Sequence, residues 1–281
     1  MLFRSTPLIS APRALPVGRI TITKQCIKRS CGDTWRAAPE AKLVPVPSHR
    51  FTCLRTVAIL LLFGTAFGYL EAAVVSYLRI LHEPARRRIY PDRAASQLFP
   101  LLTLKQVAAA GQEQRKTLYV EIGREAATMV MLAAIALAVA GNARQWTAAF
   151  AIAFGVWDIV FYAGLKLLLD WPASLFTWDI LFLIPVAWVG PVAAPVLVSV
   201  AMITAGIWCL SREAAGRPLR IGGRNIFGVL LGALVIILSF TLDYRNITAG
   251  GMPHPFHWGV FALGLAIGGV SYGSAGKGAQ H

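Results

Sequence analysis

Five long runs of mostly apolar residues constrain the fold of this chain more than any other feature of its sequence. They occupy residues 56–80, 118–140, 146–168, 226–242 and 256–272. A helix that crosses the hydrocarbon core of a bilayer, which is about 30 Å thick, needs roughly 20 apolar residues. Charged residues make up only 14% of the chain, whereas a soluble domain usually has about 25%. The sequence therefore predicts an all-α fold, a polytopic transmembrane helix bundle in a lipid bilayer.

A sixth apolar region, residues 174–210, is too long for one crossing and contains Pro185, Gly190, Pro191 and Pro195. Proline interrupts a helix because it has no backbone N–H and its ring clashes with the preceding turn. Two short crossings that meet near the Gly-Pro pair fit this pattern, and a single re-entrant element is the alternative. With two crossings here, the chain has about seven spans.

Basic residues in the loops predict the orientation. The loop 82–117 carries seven Lys or Arg against three acids, so the positive-inside rule predicts that it is cytoplasmic. Two crossings in residues 174–210 bring the four arginines of 211–225 to the same side, whereas one crossing would put them outside. The net charge of +14 is explained by this loop pattern, so no nucleic-acid partner is expected. The short apolar segment 98–104 is predicted to be interfacial or re-entrant rather than an eighth span.

The composition of residues 1–50 differs from that of the rest of the chain. This segment contains nine Lys or Arg, two acids and six prolines without sustained apolar periodicity, and it cannot supply a packed core. We predict a disordered basic tail over residues 1–50 and a transmembrane helical domain over 51–275. A cleaved leader, or a start of translation near Val44 or Leu54, would also explain the tail.

Acidic residues inside the predicted spans are the main indication of function. A charge at the bilayer centre costs about 2.5 to 3.5 kcal/mol, so such residues usually face the bundle interior and serve a function. Glu71 and Asp158 lie deep in their spans, whereas Glu121, Glu125 and Asp179 lie near the inner ends. All five are therefore predicted to lie in the cytoplasmic half of the bundle.

Helical spacing adds further side chains to this polar interior. Arg124 is within one turn of two of the glutamates, so we expect one cation to bridge or flank two carboxylates. Asp158, Tyr162 and Lys166 repeat every four residues and form one polar stripe. The predicted polar interior comprises Glu71, Glu121, Arg124, Glu125, Asp158, Tyr162, Lys166 and Asp179.

Part of this set also has a purely structural interpretation. Glu121 and Arg124 would suit a helix end at the membrane surface. Asp179 would be favoured by the helix dipole if a helix began at Thr177. Paired charges can also serve only to fix how helices pack.

Asp243, His254 and His257 are weak candidates for a metal site at the opposite face. Pro255 makes a regular helical pair of histidine ligands unfavourable, so we predict an ordered interfacial loop with Trp258 at the membrane surface. No cofactor is identified by the sequence. A haem or nucleotide site is not expected, because no paired-histidine motif or nucleotide-binding loop is present.

Glycines four residues apart in three spans predict close contacts between helices. Small residues at this spacing let two helix backbones approach each other. We interpret them as packing seams, and a helix–helix oligomer through the same faces is a further hypothesis. The pairs are Gly64 and Gly68, Gly228 and Gly232, and Gly264 and Gly268.

The stretch from EIGREAATMVML (121–132) to WDIVFYAGLKLLLDWPASLFTWDILFLIPVAWVGP (157–191) resembles bacterial multi-pass membrane proteins with no assigned activity. The resemblance covers most of residues 56–270. It implies a location in the bacterial inner membrane and no activity.

Three function hypotheses follow from these residues. The first is a proton- or ion-coupled transporter of a small solute, because carboxylates shielded from water can exchange protons near neutral pH. The second is a membrane-embedded, metal-dependent enzyme that acts on a lipid or polyprenyl substrate, with carboxylates that bind Mg²⁺ or Mn²⁺. The third is an assembly or scaffold subunit. The sequence does not decide whether the protein is an enzyme.

Overall fold

The computed structural model describes residues 49–94, 97–109 and 112–276, and nearly all of the predicted tail lies outside them. The described part is mostly helical, with one antiparallel sheet of two strands between the fourth and fifth helices. The elements are α1 (His49–Ile89), α2 (Leu104–Ala109), α3 (Gln112–Val139), α4 (Ala143–Leu169), β1 (Trp178–Phe182), β2 (Trp188–Pro191), α5 (Ala193–Ala214), α6 (Gly223–Thr241), α7 (Tyr244–Thr248) and α8 (Trp258–Ser274).

Five helices of the described residues are long and apolar enough to cross a membrane, namely α1, α3, α4, α5 and α6. The apolar helix α8 is shorter, with 17 residues. At 1.5 Å per residue it is roughly 26 Å long, close to the thickness of a bilayer core. The chain is therefore a membrane protein of the predicted helical class.

The prediction of two crossings in residues 174–210 is wrong. Strands β1 and β2 pair in antiparallel register, with Asp179 opposite Gly190, and only α5 follows as a helix. Each strand has five residues or fewer, so at about 3.4 Å per residue the hairpin is too short to cross. Pro185 lies between the strands and Pro191 ends β2, where a helix would lose backbone hydrogen bonds. Pro195 is tolerated in the first turn of α5, where its N–H is not needed.

Helix α4 is the centre of the bundle and packs against α1, α3 and α5. Its N-cap is Asn142, whose side chain accepts a hydrogen bond of 3.0 Å from the backbone N–H of Gln145. Its C-cap is Asp170, which adopts the left-handed conformation with φ 50°. The burial of Ile152, Leu165 and their neighbours on most sides gives α4 a fixed position, and its polar side chains therefore lie inside the protein.

Glycines form the closest helix contacts. A Cβ on Gly68 of α1 would lie 2.6 Å from the carbonyl oxygen of Trp157 in α4. A Cβ on Gly232 of α6 would lie 2.6 Å from the backbone nitrogen of Gly268 in α8. Gly64 faces α4, while Gly228 and Gly264 lie in the α6–α8 contact, so all six predicted glycines lie in seams within one chain.

The two ends of the bundle are named here after a residue that lies at each of them. At one end, the Cys53 end, Cys53 lies with Val139 and Glu213. At the other, the Arg86 end, Arg86 lies with Leu183. Because only one helix follows the hairpin, the arginine-rich loop between α5 and α6 lies at the Cys53 end, opposite the loop after α1. The described part therefore has one helix, α5, where the sequence predicted two crossings.

The segment 98–104 does not form a membrane span. Phe99 is buried with Ala187 and Val189 of the hairpin and with Ile247 of α7. Arg86 donates a hydrogen bond of 2.9 Å to the carbonyl oxygen of Leu98. The segment thus packs over the hairpin and helps to close the Arg86 end.

Candidate functional site

A cavity of about 390 Å³ lies in the half of the bundle nearest the Arg86 end. Helices α1, α3 and α4 contribute to its wall, together with the segment after α1 and strand β1. On α1 the lining residues recur at helical spacing, as in Leu78, His82 and Arg86. All of the predicted polar side chains except Lys166 line this cavity: Glu71, Glu121, Arg124, Glu125, Asp158, Tyr162 and Asp179.

Arg124 is paired with two carboxylates. It forms an ion pair with Glu71 of α1 and another, at 3.0 Å, with Glu121 of its own helix. Glu71 is only 4% exposed and also accepts a hydrogen bond of 3.0 Å from the hydroxyl of Thr128. One cation therefore bridges two carboxylates, but its second partner is Glu71 of another helix and not Glu125. The interpretation of Glu121 and Arg124 as a simple helix end does not account for this buried pair.

Glu125 connects α3 to the hairpin. One of its carboxylate oxygens accepts a hydrogen bond of 2.9 Å from the backbone N–H of Leu183, just after β1. Non-helical backbone at membrane depth is tolerated only where it is buried in protein or lines a cavity, because its polar groups need partners. Glu125 provides such a partner.

Asp158 lies at the centre of α4 and is 7% exposed. It accepts a hydrogen bond of 2.8 Å from the hydroxyl of Ser199 in α5. Among the described residues, no basic side chain lies within 4.0 Å of its carboxylate. The neighbouring Trp157 also lines the cavity, and its buried indole N–H has no hydrogen-bond partner in the described part of the chain.

Asp179 reaches the same cavity from β1, so the expectation of an acid in the first turn of a helix is wrong. Its carboxylate accepts a hydrogen bond of 3.2 Å from Tyr162 and lies 3.9 Å from the guanidinium of Arg79. The guanidinium of Arg79 stacks on the ring of Trp171, and its Cζ lies 3.8 Å from the ring centroid. Burial raises the pKa of Asp179 to about 6, although Arg79 acts in the opposite direction. Burial therefore favours the protonated form of this carboxyl group more than water does.

Lys166 does not belong to the polar interior. Its ammonium lies 2.6 Å from the carboxylate of Asp170, and its side chain is 51% exposed. The hydrogen bond from Lys166 lowers the pKa of Asp170. The stripe predicted on α4 therefore ends at Tyr162, because the last turn of the helix has emerged from its neighbours.

The candidate metal residues in the loop before α8 are only partly brought together. His254 Nδ1 lies 2.7 Å from Asp243 Oδ1, and the His254 backbone N–H donates to the same carboxylate at 2.9 Å. His257 precedes α8 without joining them in a ligand group. In the parts of the chain that the structure describes, no three His, Cys, Asp or Glu side chains are close enough to hold a metal ion.

Several contributors to the site were not in the predicted set, among them Arg79, Thr128 and Ser199. Arg79 follows Glu71 and Val75 at intervals of four residues on α1, a spacing that could have identified it. Thr128 and Ser199 are ordinary residues in apolar helices. Only their contacts with Glu71 and Asp158 show their part in the site.

Comparison with known proteins returns no match: no protein-family model, no curated protein and no solved structure matches this chain.

Proposed function

We propose that this membrane protein binds a small cation in its carboxylate-lined cavity and carries it across the bilayer in exchange for protons. The observation that supports this proposal is the excess of carboxylates over basic partners inside a cavity of about 390 Å³. That volume lies in the range of about 300 to 1,000 Å³ typical of sites for small molecules.

The charges of the cavity favour a cationic solute. Five carboxylates line it, together with three guanidinium groups. That of Arg86 donates a hydrogen bond to the carbonyl oxygen of Leu98, and the other two are those of Arg79 and Arg124. Both are already engaged by carboxylates, Arg79 by Asp179 and Arg124 by Glu71. Asp158 has no such partner among the described residues, and a buried carboxylate without one is costly. A bound cation or a proton would satisfy it.

Proton coupling follows from the same arrangement. Asp158 and Asp179 line the same cavity, and Tyr162, one turn after Asp158 on α4, donates a hydrogen bond of 3.2 Å to Asp179. Two neighbouring carboxylates resist simultaneous ionisation, so one of them holds a proton readily. Entry of a cation would displace that proton, which is the exchange that a coupled transporter requires.

An Asp158→Asn variant is expected to reduce cation-driven proton movement at least tenfold, because the amide keeps the shape of the side chain but cannot release a proton. The full chain would be reconstituted in vesicles with a trapped pH-sensitive dye. Gradients of sodium, choline and putrescine would then be applied separately, and the internal pH recorded.

Asp170→Asn is the matched control, since Asp170 lies at the end of the same helix but outside the cavity. It should retain the rate of the parent protein. An Asp158→Asn rate equal to that of the parent would contradict the proposal, as would parent vesicles that respond to none of the three cations.

We further propose six crossings, with the Cys53 end and the Arg86 end on opposite sides of a bacterial inner membrane. The bacterial location rests on the resemblance of the sequence to bacterial multi-pass proteins. Both ends carry several basic residues, as in Arg86–Arg88 and in the four arginines of 211–225. Loop charge therefore does not select one orientation once the hairpin replaces a pair of crossings.

Single cysteines at the exposed positions Asp92 and Arg217 test this topology, in a background from which Cys26, Cys31, Cys53 and Cys209 have been removed. In intact cells, a maleimide that cannot cross membranes is expected to label one position and not the other. The seven-span arrangement puts both positions on the same side of the membrane. It would be indicated if intact cells labelled both cysteines, or if they labelled neither and both reacted fully after lysis.

The enzyme and scaffold hypotheses receive less support from the same contacts. A bound Mg²⁺ or Mn²⁺ needs several oxygen ligands that converge, and no described group of three does so. A scaffold role accounts for the Arg124–Glu71 pair as a packing device. It does not account for Asp158, which lines a cavity without a basic partner.

A further inference from the structure

A second cavity, of about 650 Å³, lies at the Cys53 end beside the loop that joins α5 to α6. Four arginines line it: Arg144, Arg212, Arg217 and Arg220. We propose that this cavity binds the phosphate group of an anionic phospholipid. The proposal is independent of the transport function, because the two cavities share no lining residue.

The loop that carries two of these arginines has a defined conformation. At the end of α5, Gly216 has φ 69°, and its N–H donates to the carbonyl oxygen of Glu213 at 3.0 Å. The N–H of Arg217 donates to the carbonyl oxygen of Arg212, also at 3.0 Å, which completes a Schellman motif. Leu219 is only 1% exposed and anchors the loop in the hydrophobic core. The arginines are thus held around the cavity and are not spread along a free loop.

The positive charge of this cavity is compensated at only one of its four arginines, Arg144. Glu213 is the neighbouring acid, and it is occupied by Arg144 at 2.8 Å. The same carboxylate also accepts hydrogen bonds from Gln145 and Asn142. Arg212, Arg217 and Arg220 form no ion pair with any described residue.

Arg212 provides the observation that points to a ligand. Its Nε is buried and has no hydrogen-bond partner within the described residues. A buried donor without a partner is costly, and a guanidinium group binds a phosphate through two parallel N–H···O bonds. A phosphate in the cavity would satisfy this donor and the charge around it.

The position of the cavity favours a lipid as the source of the phosphate. It lies where α5 ends and α6 begins, the level at which lipid headgroups meet a membrane protein. In the first turns of α6, directly after the cavity, Phe227 is 69% exposed and Leu230 is 64% exposed. An apolar surface therefore lies next to the basic one. Basic pockets at the ends of membrane helices are established sites for acidic lipid headgroups.

An Arg212→Gln variant is expected to bind dioleoyl phosphatidylglycerol at least tenfold more weakly than the parent protein. The measurement is native mass spectrometry of the detergent-purified full chain, titrated with phosphatidylglycerol and, separately, with phosphatidylcholine. Arg220→Gln changes an exposed side chain of the same cavity and should also lose affinity. It keeps the test informative if Arg212→Gln fails to fold.

Arg224→Gln removes the same charge from the same end of the bundle, but Arg224 is exposed and does not line the cavity. This control should change phosphatidylglycerol binding less than twofold. An equal loss in all three variants would overturn the proposal, because it would show general attraction to an anionic surface. Binding of phosphatidylcholine as tight as that of phosphatidylglycerol would overturn it too. Inorganic phosphate that displaces the lipid at equal concentration would assign the cavity to a free anion instead.

Discussion

An Arg124→Met variant is expected to be about 3 to 5 kcal/mol less stable than the parent protein, the usual cost of removing one partner from a buried ion pair. Glu71 is 4% exposed, and Arg124 is the basic group with which it is paired. Without that guanidinium, Glu71 would have to remain as an uncompensated buried charge or take up a proton. The free energy of unfolding would be measured by titration with sodium dodecyl sulfate in mixed micelles.

Lys166→Met is the matched control for this prediction. This substitution also removes the basic partner of an ion pair, here the one between Lys166 and Asp170 at the end of α4. Both side chains are exposed, and an exposed ion pair contributes about 0 to 1 kcal/mol to stability. The double variant Arg124→Met, Glu71→Met should recover more than half of the loss, because neither buried charge remains. Equal losses for Arg124→Met and Lys166→Met would show that the interior pair is not shielded from water.

A Gly232→Val variant is expected to separate α6 from α8 at a cost of about 3 kcal/mol, the upper part of the usual range for overpacking. A Cβ at this position would lie 2.6 Å from the backbone nitrogen of Gly268 and 2.7 Å from the carbonyl oxygen of Gly264. Backbone atoms cannot rotate away as a side chain can, so the helices themselves must move apart. The same unfolding titration measures the effect.

Gly269→Val tests whether this loss is specific to the seam. Gly269 lies one residue from Gly268 on the same helix, but nothing lies within 4 Å of its Cβ position. Its substitution should change stability by less than about 0.5 kcal/mol, as for a surface position. If the two variants lost equal stability, the contact between α6 and α8 would not depend on close backbone approach.

The wrong prediction of two crossings in residues 174–210 has a simple physical origin. Span prediction from sequence measures the length of an apolar run, and residues 174–210 are apolar throughout most of their length. A buried hairpin and a short membrane helix are equally apolar, because both must avoid water. Pro185, Gly190 and Pro191 indicated an interruption, but whether strands replace a helix there depends on what surrounds them. Glu125 of α3 supplies one such partner by accepting from Leu183.

The polar residues were identified more reliably than their partners. Glu71 and Asp158 were predicted to lie inside because an isolated charge in an apolar run is unfavourable at the lipid face. Helical spacing, however, reports only neighbours on the same helix. It related Arg124 to Glu121 but could not reveal Glu71, and it placed Lys166 with Asp158 although the end of α4 is exposed.

The sequence by itself determined that this chain is a helical membrane protein with acidic residues in its interior, because apolar length and intramembrane charge are properties of local segments. Only the tertiary structure decided that a hairpin closes the Arg86 end and that Asp179 meets Tyr162 and Arg79. The tertiary structure also decided that Ser199 donates its hydrogen bond to Asp158. These contacts join residues that lie on different elements, and their energies depend on how the helices pack, which no single segment encodes.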